Sequence, residues 1–130
     1  MTEIRLEHVS YAYGRERILE DINLQVTSGE VVSILGPSGV GKTTLFNLIA
    51  GILEVQSGRI VLDGEENPKG RVSYMLQKDL LLEHKTVLGN IILPLLIQKV
   101  DKAEAIARAD EILATFQLTA VRDKYPHELS

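Results

Sequence analysis

The sequence has no cysteine and no block of lysine or arginine among its 130 residues. The lack of cysteine excludes a disulfide framework and any thiolate metal site within these residues, and it fits a reducing compartment. With a formal net charge of −4 and no basic block, the chain lacks the charge that binds a nucleic-acid backbone, so we expect no nucleic-acid partner. The longest apolar run covers residues 91–97 and contains Pro94, whereas about 20 residues are needed to cross a bilayer. We therefore expect any role at a membrane to come through a partner.

The residues that are present are typical of a globular protein, with 45% apolar and 25% charged, and the length predicts one compact domain. Residues 4–9 and 22–26 carry spaced or alternating apolar side chains, which predict strands; the second has one face in water. Residues 31–35 are almost continuously apolar and rich in β-branched side chains, which predicts a strand buried on both faces. Residues 59–62 and 71–76 are two further predicted strands.

Helical patterns occupy other parts of the sequence. Residues 42–50 have leucine and isoleucine at helical spacing, and Gly51 stands where a helix often ends. Thr86 can cap a helix that runs to residue 96, and Pro94 is expected to kink it. Asp101 begins a sequence that resembles a capping box. The predicted apolar face of this last helix consists of Ile106, Ala109, Ile112, Leu113 and Phe116.

Residues 36–43, with the sequence Gly-Pro-Ser-Gly-Val-Gly-Lys-Thr, match the Walker A phosphate-binding pattern at every defined position. The glycines let the backbone turn so that its N–H groups point at phosphates, and the following helix adds its positive end. Lys42 supplies a mobile charge for the outer phosphates, and the Thr43 hydroxyl can ligate Mg²⁺. A dinucleotide-binding fold is disfavoured because its G-x-G-x-x-G motif needs Gly or Ala at the position where this sequence has Thr44. The loop predicts that the protein binds a nucleotide with Mg²⁺, and ATP is the favoured nucleotide. The loop alone does not distinguish among kinases, GTPases and transport ATPases.

Together with other segments, this loop resembles that of the ATP-binding subunits of ABC transporters. The resemblance covers nearly the whole chain and implies an α/β fold, a P-loop NTPase of the ABC-ATPase type. Such a fold has an N-terminal antiparallel β portion, a strand–loop–helix core and the start of a helical subdomain, incomplete here. It implies one partial domain over residues 1–130, with the core in about 1–79 and the helical subdomain in about 80–130. The other segments that carry it are Tyr13-Gly14, Leu19-x-Asp21-Ile22-Asn23-Leu24, Gly29-Glu30, Ser57-Gly58-x-Ile60, Asp63-Gly64, Gln77 and Leu129-Ser130.

The resemblance implies roles for single residues. Tyr13 is similar to the aromatic residue that stacks on adenine, with Tyr11 as the competing candidate and strand packing as the alternative for both. Gln77 resembles the glutamine that helps hold Mg²⁺ and the attacking water, and it joins Lys42 as a catalytic candidate; the alternative is a surface glutamine at a strand end. Ser130 resembles the signature serine that contacts the γ-phosphate held by the opposite subunit. The predicted nucleotide contacts are Tyr13, Gly36, Pro37, Ser38, Gly39, Val40, Gly41, Lys42, Thr43, Thr44 and Ser130, and the predicted magnesium ligands are Thr43 and Gln77.

As a whole, the resemblance implies an ATP-binding subunit that couples ATP hydrolysis to solute import, bound peripherally at the cytoplasmic side of a bacterial inner membrane. The implied partners are ATP, a second ATPase subunit in a homodimer or pair, integral membrane permease subunits and, indirectly, a solute-binding protein. Residues 80–97 resemble the segment that docks on the permease, and ordinary core packing is the alternative. Residues 74–81 look most like the nitrate, sulfonate, taurine and bicarbonate importers. The alternative functions are a soluble ABC-type ATPase of DNA repair or translation, and another P-loop nucleotide-binding module.

The family pattern contains further motifs that do not occur in residues 1–130, namely the rest of the signature, the Walker B strand, the water-polarising glutamate and a later histidine. We therefore expect these residues to be the N-terminal part of a longer ATPase. In isolation they are expected to bind nucleotide at most, since phosphoryl transfer depends on groups that position the attacking water. The three histidines match no metal-binding spacing, so we expect no metal site made of protein ligands alone.

Overall fold

The computed structural model describes residues 2–66, 69–78 and 80–129, and the chain divides into two compact units, residues 1–75 and 76–130. The first unit is a small sheet with one helix. Its elements are β1 (Glu3–Tyr13), β2 (Glu16–Thr27), α1 (Lys42–Ile49), β3 (Ser57–Leu62) and β4 (Glu65–Glu66). The predicted strands at residues 4–9, 22–26 and 59–62 and the helix at residues 42–50 are confirmed.

The sheet has the order β2-β1-β3-β4, and all of its neighbouring strands are antiparallel. β1 and β2 form a hairpin in which Tyr13 lies opposite Glu16. The two-residue turn between them contains Gly14 with φ 59°, a left-handed conformation that glycine adopts at little cost. β1 is therefore the strand that joins this hairpin to the strands that follow α1.

The core of the first unit lies between one face of the sheet and α1. Alternation along the strands sends every second side chain to this face, and helical spacing gives α1 a matching apolar stripe. The buried residues of the core are Leu6, Val9, Leu19 and Ile60 from the sheet and Leu45 and Leu48 from α1. The helix that follows the predicted phosphate loop is thus held on the sheet by its leucines.

Two strand predictions are wrong for the structure as described. Residues 31–35 have no regular secondary structure and belong to no sheet, and Val31 and Leu35 are 95% and 91% exposed. Residues 71–76 likewise form no strand, and Met75 is exposed. A strand is defined by hydrogen bonds to a neighbour, and none of the strands in the described ranges pairs with either segment. The apolar pattern indicates side chains suited to burial, but it does not specify a neighbouring strand with which the segment could pair.

The second unit is a pair of helices, α2 (Val87–Ile97) and α3 (Lys102–Thr115), followed by short 3-10 turns at Thr119–Val121 and Pro126–Glu128. Both predicted caps are confirmed. The Thr86 hydroxyl accepts a hydrogen bond from the Gly89 amide at 3.1 Å, and the Asp101 carboxylate accepts one from the Ala103 amide at 2.9 Å. Pro94 lies inside α2 as expected.

The predicted apolar face of α3 is only partly correct. Ala105, Ala109 and Leu113 are buried, whereas Ile112 and Phe116 are exposed. Ala105 and Ala109 form a buried cluster with Ile92 of α2. Alanines at i and i+4 leave space for the neighbouring helix to approach, so the contact stripe follows the small residues and not the largest apolar ones.

The end of α3 is tied to the segment after it by an ion pair. The Arg122 guanidinium donates to both carboxylate oxygens of Asp110, at 2.7 Å from Nε and 3.3 Å from Nη2. This two-point contact is the stronger form of an arginine–carboxylate pair. The hydrogen bond from Arg122 lowers the pKa of Asp110 below its usual value.

Candidate functional site

The loop of residues 36–41 precedes α1 directly, and its glycines take the conformations that the motif requires. Gly39 has φ 81° and Gly41 has φ 106°. A Cβ atom on Gly41 would lie 2.9 Å from Cγ2 of Ile18 and 3.0 Å from Cδ2 of Leu19. Gly41 is therefore required for two reasons, its left-handed backbone and its close approach to β2. These contacts anchor the loop to the sheet.

The Lys42 side chain folds back over the loop. Its ammonium donates hydrogen bonds to the carbonyl oxygens of Gly36 at 2.5 Å and of Pro37 at 2.6 Å. Both carbonyls are exposed, so the charge stays near the surface and close to the loop backbone. A flexible four-carbon stem lets such an ammonium exchange these neutral acceptors for the oxygens of a phosphate. Lys42 is placed where an anion bound by the loop would meet a full positive charge.

The N-terminus of α1 is open to an anion. Among the described residues no side chain caps it, and its first turn contains no acidic residue. The first amides of a helix have no acceptor within the helix, and the helix dipole makes this end positive. Thr43 is exposed at this end, which leaves its hydroxyl free to ligate a cation, whereas Thr44 is only 7% exposed. This end of the helix is suited to a phosphate, with a cation that prefers oxygen ligands at Thr43. The direct nucleotide contact predicted for Thr44 stays a prediction.

Tyr13 ends β1 with its side chain 51% exposed. The edge of one tyrosine ring meets the face of the other in the pair Tyr11 and Tyr13, with centroids 5.1 Å apart and an interplanar angle of 79°. Tyr11 packs partly against the core, opposite Leu19 in the strand register. Since Leu19 also lies near Gly41, the hairpin that carries the tyrosines is the same one that supports the loop. Exposure favours Tyr13 over Tyr11 as the ring available to a base.

The two remaining predicted site residues, Gln77 and Ser130, belong to residues 76–130. Gln77 is exposed, in an irregular segment ahead of α2. Its exposure leaves the side-chain amide accessible to a cation. The assignment of Gln77 as a magnesium ligand stays a prediction. Ser130 lies outside the described residues, so its predicted phosphate contact is likewise untested.

Acidic residues of the family-like segments have structural roles in the first unit. The Glu30 carboxylate accepts a hydrogen bond from the Thr27 amide at 2.6 Å, which lowers the pKa of Glu30. His8 Nδ1 lies 2.7 Å from Asp21 Oδ1 and lowers the pKa of that carboxyl. Asp63 accepts from the Glu3 amide at 2.8 Å. In the described structure these carboxylates therefore stabilise the backbone and side chains around the strands of the sheet.

The sequence analysis missed two contacts of the first unit. The Gln56 side chain bonds to the backbone of Ala12, between the two tyrosines. The Phe46 ring of α1 stacks on Tyr74, with centroids 6.5 Å apart and an interplanar angle of 18°. Neither contact has a local signal, because its partners are far apart in sequence. A glutamine three residues before the predicted strand at residues 59–62 is too common to attract attention.

Two properties of the described part of the chain bear on other functions. Across residues 2–66, 69–78 and 80–129, no group of three or more His, Asp or Glu side chains could hold a metal ion. Within the same ranges, none of the helices has the length and apolar character needed to span a membrane. The open loop before α1 is therefore the feature of the described residues with the clearest chemistry.

Comparison with known proteins agrees with this geometry. The profile of the ABC transporter family matches residues 19–130. The spermidine/putrescine import ATP-binding protein of Aggregatibacter actinomycetemcomitans is 40% identical, and the alignment covers 98% of this chain and 36% of that protein. The sulfate/thiosulfate import ATP-binding protein of Thermosynechococcus vestitus is 38% identical, and the alignment covers 98% of this chain and 39% of that protein.

Solved structures show the same similarity. An ATP-binding cassette of an ABC transporter superimposes with a TM-score of 0.84 at 27% identity, covering 100% of this chain and 60% of that one. A dimeric ATP-binding cassette in a post-hydrolysis state, bound to ADP and Pi, gives a TM-score of 0.77 at 28% identity, covering 98% of this chain and 63% of that one. The chain spans little more than a third of the two curated relatives.

Proposed function

This chain belongs to the ABC transporter family, in its ATP-binding component, and we propose that its full-length protein hydrolyses ATP to drive solute import through separate membrane subunits. The observation that carries the proposal is the loop before α1. Gly39 and Gly41 are left-handed, the helix end behind the loop is uncapped in the described structure, and Lys42 donates to two carbonyls of the loop. These are the features that a polyphosphate needs, namely convergent amides and a mobile positive charge.

In the proposed site, Tyr13 offers a ring face to adenine, and the loop residues hold the phosphates. The predicted phosphate contacts are Gly36, Pro37, Ser38, Gly39, Val40, Gly41, Lys42 and Thr43. Mg²⁺ would neutralise phosphate charge, and the exposed Thr43 hydroxyl and Gln77 amide would supply oxygen ligands of the kind it prefers. Lys42 would leave the Gly36 and Pro37 carbonyls to meet the outer phosphates. Gln77 would also orient the attacking water by hydrogen bonding.

We further propose that the protein works as a dimer, since a similar cassette was solved as a dimer with ADP and Pi. The predicted role of Ser130 belongs to this proposal, because the serine would contact the phosphate held by the opposite subunit. The described structure neither includes Ser130 nor contains a second chain. The dimer proposal therefore rests on the relative and on the family resemblance.

The surface proposed to meet the membrane subunits lies in residues 80–97. α2 contributes Ile92 to the core of the second unit, but Ile97 is 73% exposed, and Leu80, Leu81 and Leu96 are exposed as well. Exposed apolar side chains mark protein interfaces when they form a contiguous patch, and these four fall within one short segment of the chain. Docking there would place the protein peripherally at the cytoplasmic side of the membrane.

The transported solute is open. The two relatives described above are named for polyamines and for sulfate or thiosulfate, and the nitrate and sulfonate subgroup stays a prediction. The decisive experiment on function is co-purification of the full-length protein with an integral membrane subunit, combined with a phosphate-release assay. ATP turnover together with such a subunit supports transport. Turnover without any membrane partner would favour the alternative of a soluble ABC-type ATPase.

A further inference from the structure

The tip of the β1–β2 hairpin is held by a side chain from outside the hairpin. Regular pairing between β1 and β3 stops at Ser10 opposite Ser57. Ala12, two residues further along β1, has instead two hydrogen bonds with the side-chain amide of Gln56. The Ala12 amide donates to Gln56 Oε1 at 2.9 Å, and Gln56 Nε2 donates to the Ala12 carbonyl at 3.0 Å.

This arrangement extends the sheet by one residue without a strand. A primary amide presents an acceptor and a donor side by side, as a peptide group of a neighbouring strand does. Gln56 precedes β3 directly, so its side chain continues the edge on which β3 pairs with β1. On the opposite edge, Ala12 lies opposite Arg17 of β2 in the register. Both backbone polar groups of Ala12 are thereby bonded to Gln56, while the neighbouring strand β2 lies on its other side.

Ala12 stands between the two tyrosines, and its position decides where Tyr13 points. Tyr13 follows it as the last paired residue before the turn, opposite Glu16. About half of Tyr13 is exposed, and its ring contact within the described structure is the edge-to-face one with Tyr11. Packing therefore fixes the ring only weakly, and its direction depends on the backbone that Gln56 clamps.

We propose that Gln56 is a positioning residue for nucleotide binding, which holds the Tyr13 ring in the orientation that receives the adenine base. The inference rests on the proposed function, because it needs Tyr13 to contact the base. A ring that is already ordered loses less conformational freedom when the base stacks on it, which raises affinity without a new contact to the ligand. Gln56 thus affects affinity for the base while it leaves the affinity of the loop for phosphates unchanged.

The test compares two ligands that share phosphates and differ in the base. Binding of ADP and of inorganic pyrophosphate, both with Mg²⁺, is measured for the full-length protein by calorimetry or competition. Gln56→Met keeps the length of the side chain and removes both hydrogen bonds. It is expected to weaken ADP binding about two- to fivefold, no more than loss of the whole aromatic contact would, and to leave pyrophosphate binding unchanged. Gln25→Met, at an exposed glutamine of β2, is the matched control and should change neither.

A second variant pair distinguishes positioning from general weakening of the fold. In a Tyr13→Ala background, Gln56→Met should cause no further loss of ADP affinity, because the ring that it positions is gone. An equal loss of ADP and pyrophosphate binding, or a full additional loss in the Tyr13→Ala background, would overturn the positioning role. If Tyr13→Ala weakens ADP binding but Gln56→Met does not, this inference alone fails. If Tyr13→Ala has no effect on ADP, the adenine contact fails and the role of Gln56 with it.

Discussion

The ammonium of Lys42 lies 2.5 Å from the carbonyl oxygen of Gly36, so the lysine of the phosphate loop is bound to the backbone of that same loop. Lys42 provides the Gly36 carbonyl with a hydrogen-bond donor, and its flexible stem lets the ammonium turn from there to the oxygens of a phosphate.

For Lys42 we expect Lys42→Ala to weaken nucleotide binding and to abolish ATP turnover by the full-length protein. The lost hydrogen bonds are charged ones, worth about 1.5–3 kcal/mol, which corresponds to roughly 10- to 100-fold in affinity. ATP titration and a steady-state phosphate-release assay measure the two effects. A variant that keeps native affinity and rate would show that the loop is not the nucleotide site.

For Tyr13 we expect Tyr13→Ala to lose affinity for ATP and Tyr13→Trp to retain it, because a stacking face survives only in the second variant. An aromatic contact corresponds to about 1 kcal/mol, or roughly a fivefold change in the dissociation constant. The sequence contains no tryptophan in these 130 residues, so the indole also provides a local fluorescence signal. Equal losses of ATP affinity for both variants would show that Tyr13 serves in packing. If only Tyr11→Ala weakened binding in a way that depends on the base, Tyr11 would be the residue that stacks on adenine.

For Gly41 we expect Gly41→Ala to destabilise the folded protein and to weaken nucleotide binding. A side chain there adds left-handed strain of about 1–2 kcal/mol to a contact of 2.9 Å with Ile18. Gly64→Ala is the matched control, since Gly64 has φ 84° but open space around it. Chemical denaturation should show a larger loss for Gly41→Ala than for Gly64→Ala. Equal losses would mean that β2 yields to the new side chain and that only the backbone conformation matters.

For Ile97 we expect Ile97→Gln to reduce co-purification with the membrane subunits while it leaves the isolated protein as stable as before. The side chain is 73% exposed, and exposed substitutions usually change stability by less than about 0.5 kcal/mol. Ile112→Gln, at an exposed isoleucine of α3 outside residues 80–97, is the control. Equal loss of co-purification for both variants, or for neither, would place the docking surface elsewhere.

The pair of Asp110 and Arg122 predicts a dependence of stability on pH. The folded state lowers the pKa of Asp110 below 3.8, so the charged carboxylate stabilises the fold at every pH above that value. The contribution is lost as the pH falls through the lower, folded pKa. We therefore expect Asp110→Asn to destabilise the protein at neutral pH and to differ little from the native protein in strong acid. Denaturation curves at several pH values measure this, and a pH-independent difference would refute the charge interaction.

The features that the sequence predicted well are local ones. The caps at Thr86 and Asp101 depend on a side chain and amides within three residues, and both are present. The loop glycines likewise follow from a motif whose backbone requirement is contained in the motif itself. In each case the physical cause lies within a few residues of its effect, and the sequence pattern contains it.

The features that the sequence did not predict depend on distant partners. The apolar run at residues 31–35 indicates burial, but a strand needs a neighbour that the run does not specify. The contact of Gln56 with Ala12 joins residues 44 positions apart, and nothing in either segment marks it. On α3 the exposed Phe116 shows the same limit, because periodicity gives a face but not the neighbour that covers it.

The two edges of β1 are completed at different times as the nascent chain is synthesised. β2 follows β1 after a two-residue turn, so the hairpin can close once Thr27 has left the ribosome, with a small entropic cost of loop closure. The other edge waits for Gln56 and β3, which emerge only after the phosphate loop and α1. We expect the tip with Tyr13 to reach its final order only then, since Gln56 arrives about thirty residues after the hairpin is complete.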